Sequence, residues 1–229
     1  MRTLAVLPVK SFDAAKGRLR ARLDPIARAA LAEAMLGDVL AAVAGASEID
    51  GVAVVTAEAR AAAVARGTGA EILLDAHEAG QSPAAEIGIA QAVAGGYDRV
   101  VLLPGDTPLL APADLDGLCV RAAAASLGAA IVSDRHGTGT NALLLRPPDA
   151  LAPSFGPDSL ARHVASARTA GVVHGVERIA ALEHDVDTPE DLAALAERLR
   201  ASDPATAPRT RAALARIEAT DDPRSAAEA

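Results

Sequence analysis

Short apolar runs of strand length recur along this chain between longer alanine-rich stretches, and that alternation limits the possible folds more than any other feature. The runs are residues 3–9 (TLAVLPV), 51–56 (GVAVVT), 71–74 (EILL), 99–103 (RVVLL) and 129–133 (AAIVS). Their apolarity is continuous rather than alternating, as in strands buried on both faces. Residues 25–46, 57–66, 83–94 and 112–126 lie between them, with helical length and amphipathic spacing. Strand and helix in turn predict an α/β fold, a mostly parallel sheet flanked by helices and joined by right-handed crossovers. Ligands of such sheets sit beyond the carboxyl ends of the strands, so the residues just after each run are the first functional candidates.

After Ser133 the rhythm changes. A glycine- and threonine-rich turn (136–141, HGTGTN) precedes another apolar run, 142–145. A helix is predicted from about Asp158 to Thr169, a strand over 172–176, and a final helix opening at Thr188. This half adds the acceptor side of a cleft. The 229 residues suit one domain, placed at 1–202. Beyond it, Pro204, Pro208 and Pro223 and scattered charges surround one short helical pattern, 209–219, so 203–229 reads as a mobile tail.

Composition removes several classes of function. The net charge is −8 and the only aromatic residues are Phe12, Tyr97 and Phe155, so neither phosphate-backbone attraction nor base stacking favours nucleic acid. No apolar run approaches the roughly 20 residues that span a bilayer. Cys119 stands alone and permits no internal disulfide, which fits a cytoplasmic protein. The five histidines show no zinc spacing and the serines no nucleophile elbow.

Four constellations remain. Pro8, Lys10, Lys16 and Arg18 follow the first strand, and five basic residues between positions 10 and 22 of an acidic chain suit a polyphosphate. The pattern is not a Walker A loop, and the alternative is a solvated loop. Asp106 ends the fourth strand in LPGDTP, where a carboxylate suits magnesium on a triphosphate or caps the next helix. In DVDTPEDL, Thr188, Pro189, Glu190 and Asp191 make a complete helix start. That leaves Asp185 and Asp187, which on an extended backbone would share one side and invite a cation, with one solvated and one turn aspartate as the alternative. Thr140, Asn141, Gly156 and Ser159, in GTGTN and FGPDS, offer neutral donors to an anion, with a hairpin loop and simple capping by Asp158 as the alternatives.

Taken in order, PVKSFDAAKGRL, LPGDTPLL, GTGTNALLLRPP, FGPDS and DVDTPEDL resemble the guanylyltransferases that make the deazaflavin coenzyme F-420, over roughly residues 3–200. The resemblance implies a single-domain Rossmann-like, GT-A-like nucleotidyltransferase fold, with a mostly parallel mixed sheet flanked by helices, and a magnesium-dependent reaction. GTP is joined to a three-carbon phospho-acid with release of pyrophosphate. Bacterial members are associated with phosphoenolpyruvate and archaeal members with 2-phospho-L-lactate. Asp106 with Asp185, Asp187 or both are the implied metal carboxylates, and Thr140, Gly156 and Ser159 the implied acceptor contacts. Lys16 and Asp106 are the expected catalytic pair. Gln81 and Ser82 replace a Leu-Asn pair of many relatives where related folds contact base or ribose, which makes Ser82 a nucleotide-side candidate. The alternatives are a 2-phospho-L-lactate or 3-phosphoglycerate enzyme, another nucleotidyltransferase of this fold, or a non-catalytic nucleotide-binding regulator. A homodimer is left open.

Overall fold

A computed structural model describes residues 1–12 and 17–221. Its centre is a seven-stranded sheet. Strand β1 (Thr3–Pro8) pairs in parallel with β2 (Gly51–Thr56) on one side and β4 (Arg99–Leu102) on the other, and β3 (Glu71–Leu74) extends β2 in parallel. Beyond β4, β6 (Thr140–Leu145) runs antiparallel between β4 and β5 (Ala129–Ser133), and β7 (His174–Glu177) lies parallel to β5. The order is β3-β2-β1-β4-β6-β5-β7, and the one reversed strand, β6, makes it the expected mostly parallel mixed sheet.

Side chains of a strand alternate between faces, and β1 supplies both layers of the core. Ala5 and Leu7 pack in one cluster with Leu36 and Leu40 of α1 (Pro25–Gly45), Ala61 of α2 (Ala59–Gly67) and Leu115 of α4 (Pro112–Ala124). Leu4 and Val6 face the opposite cluster, with Ala85 and Ile89 of α3 (Gln81–Ala94) and Ala167 of α5 (Ser159–Thr169). A Cβ on Gly88 would collide with the Val6 methyls, so glycine lets α3 settle close against β1. Local signals set the helix starts: the Asp24 carboxylate accepts from the Ala27 amide at 2.7 Å, and Pro25 opens α1. The expected cap of α6 (Pro189–Ala201) is present, with Thr188 and Asp191 bonding reciprocally.

Of the expected mobile tail, residues 222–229 lie outside the described residues, and the part that is described departs from the expectation. Residues of α7 (Pro208–Asp221) lie along α1, and Ala213 and Leu214 join a third cluster with Leu31 and Met35 of α1 and Leu195 and Leu199 of α6. The Asp38 carboxylate in the middle of α1 accepts the amides of Arg209 at 3.2 Å and Thr210 at 2.8 Å. One helix therefore caps another, from 171 residues away, which no local sequence window reveals. No helix among the described residues is long and apolar enough to cross a membrane.

Candidate active site

Strand order reverses direction at β1: chain progress runs outward to β3 on one side, then returns to β4 on the other. The crevice at such a switch point is where α/β sheets hold ligands. Here it contains a cavity of about 290 Å³. Pro8, Val9 and Lys10 enter it from the end of β1, and Pro104, Gly105 and Asp106 from the end of β4. Gly105 keeps the floor low, because an added Cβ would stand 3.2 Å from the Leu36 Cδ1 methyl. Asp187, on the loop before α6, completes one wall.

The basic segment is held by acids. The Glu58 carboxylate accepts from the Phe12 amide at 3.1 Å and the Ser11 hydroxyl at 3.3 Å, which fixes the chain just after Lys10. Its pKa is lowered by hydrogen bonds, that from the Arg60 amide first and those from Phe12 and Ser11 after it, against the opposing effect of burial. Arg18 lies on a 3-10 turn (Gly17–Ala21) pinned by buried Leu19, exposed and outside the cavity lining. Lys16 falls outside the described residues.

Asp106 and Asp187 share the cavity, whereas Asp185 is not among its lining and acts electrostatically on Arg135. Arg135 pairs with Asp191 at 2.5 Å. The other oxygen of Asp191 accepts the amides of Asp187 at 3.1 Å and Thr188 at 2.8 Å. Asp191, which reads as a helix cap in the sequence, thus also braces the backbone that carries Asp187. Among the described residues no three histidine, cysteine or acidic side chains cluster as a metal cage. Two carboxylates on one cavity still fit magnesium, which commonly takes one or two carboxylates and completes its shell with phosphates and water.

The other candidates form a separate group, and none lines the cavity. Thr140 and Ser159 are 7% and 1% exposed, and the Thr140 amide donates to the Ser159 hydroxyl at 2.8 Å. The Leu160 amide donates to the Thr138 carbonyl at 3.0 Å, which closes the start of α5 onto the GTGTN turn. Capping by Asp158 does not occur: that residue is left-handed, at φ 56°, with no side-chain cap bond. Gly156 holds φ 110°, a conformation that favours glycine. The Arg162 guanidinium draws the turn together by donating to the carbonyls of Ser154, Phe155 and Pro157.

Two further candidates make hydrogen bonds that tie segments together. The Asn141 amide donates to the Leu182 carbonyl at 2.5 Å, tying β6 to the segment that leads to Asp185. The Ser82 hydroxyl accepts the Phe155 amide at 2.8 Å, joining the start of α3 to the FGPDS turn. Its neighbour Gln81 lines the cavity instead, with Gly80 and the buried Asp75. Asp75 was missed in the sequence although it carries a signal like that of Asp106, a carboxylate within three residues of the end of an apolar run.

A switch-point crevice lined by Lys10 at one strand end and by the carboxylates of Asp106 and Asp187 suits a nucleotidyltransferase. The chain belongs to the family described as guanylyl transferase CofC like, whose model matches residues 3–203. It is 51% identical to a phosphoenolpyruvate guanylyltransferase of Conexibacter woesei, over 86% of this chain and 88% of that protein. It is 39% identical to the protein of the same name from Sphaerobacter thermophilus, over 86% and 93%. In fold it resembles a crystal structure from Desulfovibrio desulfuricans G20 assigned as a nucleotide-diphospho-sugar transferase, with TM-score 0.74 and 19% identity over 95% of this chain and 98% of that one. A CMP-2-keto-3-deoxy-manno-octonic acid synthetase complexed with CTP has TM-score 0.61 and 14% identity over 87% and 99%.

Proposed function

We propose that this chain joins GTP to phosphoenolpyruvate, giving enolpyruvyl-diphospho-guanosine and pyrophosphate in the cytoplasm as a step toward coenzyme F-420. The observation that carries the reading is the convergence of Lys10, Asp106 and Asp187 on one switch-point cavity. The 51% identity to a phosphoenolpyruvate guanylyltransferase supports the choice of both substrates.

A phosphate oxygen of the acid attacks the α-phosphorus of GTP in line. A new P–O bond forms, the bond to the β-phosphate breaks, and pyrophosphate leaves with the electron pair. The attacking phosphate is already anionic at neutral pH, so no general base is needed. What the protein supplies is alignment and charge neutralisation. Lys10 meets the triphosphate in the cavity, and Lys16 and the exposed Arg18, farther along the same basic segment, are further candidates for its phosphates. Asp106 and Asp187, with Asp185 two residues away, would hold magnesium, which when bound offsets phosphate charge and eases departure of pyrophosphate. Thr140, Gly156 and Ser159 take the acceptor carboxylate through neutral donors.

The test is the product mass after incubation with GTP, magnesium and each of phosphoenolpyruvate, 2-phospho-L-lactate and 3-phosphoglycerate. The expected result is a guanylylated product formed fastest from phosphoenolpyruvate. A clear kinetic preference for either other acid overturns the acceptor assignment, and transfer from CTP or ATP in preference to GTP overturns the donor.

A further inference from the structure

His163 carries no motif in the sequence, yet it lies at the junction of the Thr140 and Ser159 group, fully buried on α5. Both ring nitrogens are engaged. The Ser154 amide donates to Nε2 at 2.8 Å, and Nδ1 lies 3.0 Å from the Thr140 hydroxyl oxygen. The Phe155 ring meets the imidazole edge-on, with centroids 5.4 Å apart, and holds its plane.

An amide N–H can only donate, so Nε2 carries no proton. Burial, and after it the charge of Arg162, pushes the His163 pKa down to about 4, so the ring is neutral at physiological pH. A neutral imidazole with a bare Nε2 has its proton on Nδ1. That N–H donates to Thr140 Oγ1 and occupies a lone pair, which leaves the hydroxyl proton directed elsewhere. Ser159 is in a similar condition, because its oxygen accepts the Thr140 amide and its own proton is not used in that bond. Two buried hydroxyls are thus set up as donors, a match for an anion.

We infer that His163 is a positioning residue for the acceptor acid: as the Nδ1–H tautomer it turns the Thr140 hydroxyl into a donor toward the acceptor carboxylate, and through Ser154 it holds the turn that presents Gly156. The inference rests on the reading of Thr140, Gly156 and Ser159 as the carboxylate contacts.

Two substitutions separate the functions of the ring. In His163→Asn the amide reaches the Nδ1 position and can donate to Thr140, while in His163→Gln it reaches the Nε2 position and can only serve Ser154. Steady-state kinetics with GTP, magnesium and phosphoenolpyruvate should show the acceptor KM raised about tenfold in His163→Gln, the worth of one hydrogen bond, with the KM for GTP unchanged. His163→Asn should recover most of that loss. Independently of any variant's folding, nitrogen NMR of the histidine-labelled native protein should find His163 neutral and protonated on Nδ1. An Nε2–H tautomer, an unchanged acceptor KM in His163→Gln, or equal rises in both KM values overturns the inference. Thr140→Val, measured alongside, distinguishes the two levels. If it raises the acceptor KM while His163→Gln does not, only the role of His163 fails. If neither does, the assignment of the acceptor contacts fails.

Discussion

The two sides of this molecule hold their functional groups in different ways. On the donor side Lys10 and Asp106 line one cavity just past the ends of β1 and β4, strands that parallel pairing sets side by side, and Asp187 joins them from the loop before α6. On the acceptor side the candidates are woven together by side-chain bonds: Thr140 to Ser159 and His163, Ser82 to Phe155, Asn141 to Leu182. A strand end is fixed by backbone pairing whatever its last side chain is, whereas a buried polar network holds its shape only while every member is satisfied. Substitutions on the donor side should therefore change chemistry without stability. Those on the acceptor side should change both, and jointly.

The largest effect expected is in Asp106→Asn, which keeps the shape of the side chain and removes its charge. Turnover should fall by about a thousandfold, the scale of losing one charge-stabilising group, while the melting temperature is unchanged. Near-native turnover at limiting magnesium would take Asp106 out of the metal site. Unfolding would erase the contrast between the two sides.

Next is the dependence of stability on acid. His163 has a folded pKa of about 4 against an ordinary 6.5. Below pH 6.5 the unfolded chain takes up a proton that the fold refuses, so this contribution is complete above pH 6.5 and is lost as pH falls toward 4, a change on the order of 3 kcal/mol. Urea unfolding across that window should show the decline, and His163→Asn should flatten it. A decline of equal size in the variant would assign it to other groups.

Leu214→Ala should cost about 2 kcal/mol, since the side chain is buried against α1 and α6. That loss would lower the melting temperature by about 5 °C in a chain of this size. An unchanged transition would restore the mobile-tail view of the C-terminal segment. Ser159→Ala should raise the acceptor KM about tenfold and leave that for GTP alone. Combined with Thr140→Val it should be less than additive, because both hydroxyls are read as donors to the same carboxylate; strict additivity would break the picture of a network. The smallest effect belongs to Lys10→Ala, expected to weaken GTP binding about fivefold without touching stability, as one exposed charge among several. Titration with GTP reads it directly, and unchanged affinity would make the basic segment a solvated loop.

Sequence determined what depends on short range. Continuous apolar runs marked the strands of the α/β sheet, the TPED pattern marked the start of α6, and a carboxylate shortly after a run marked Asp106 as a residue of the crevice. These follow from spacing, capping chemistry and the rule that ligands gather at strand ends. Tertiary structure decided what depends on partners far away in the chain. Only the fold could bring Asp38 under the start of α7, make Asn141 and Ser82 ties between segments, and add Asp75 to the cavity. His163 illustrates the reason: the proton on its ring is set by the Ser154 amide and the Thr140 hydroxyl, and neither is its neighbour until the chain has closed around it.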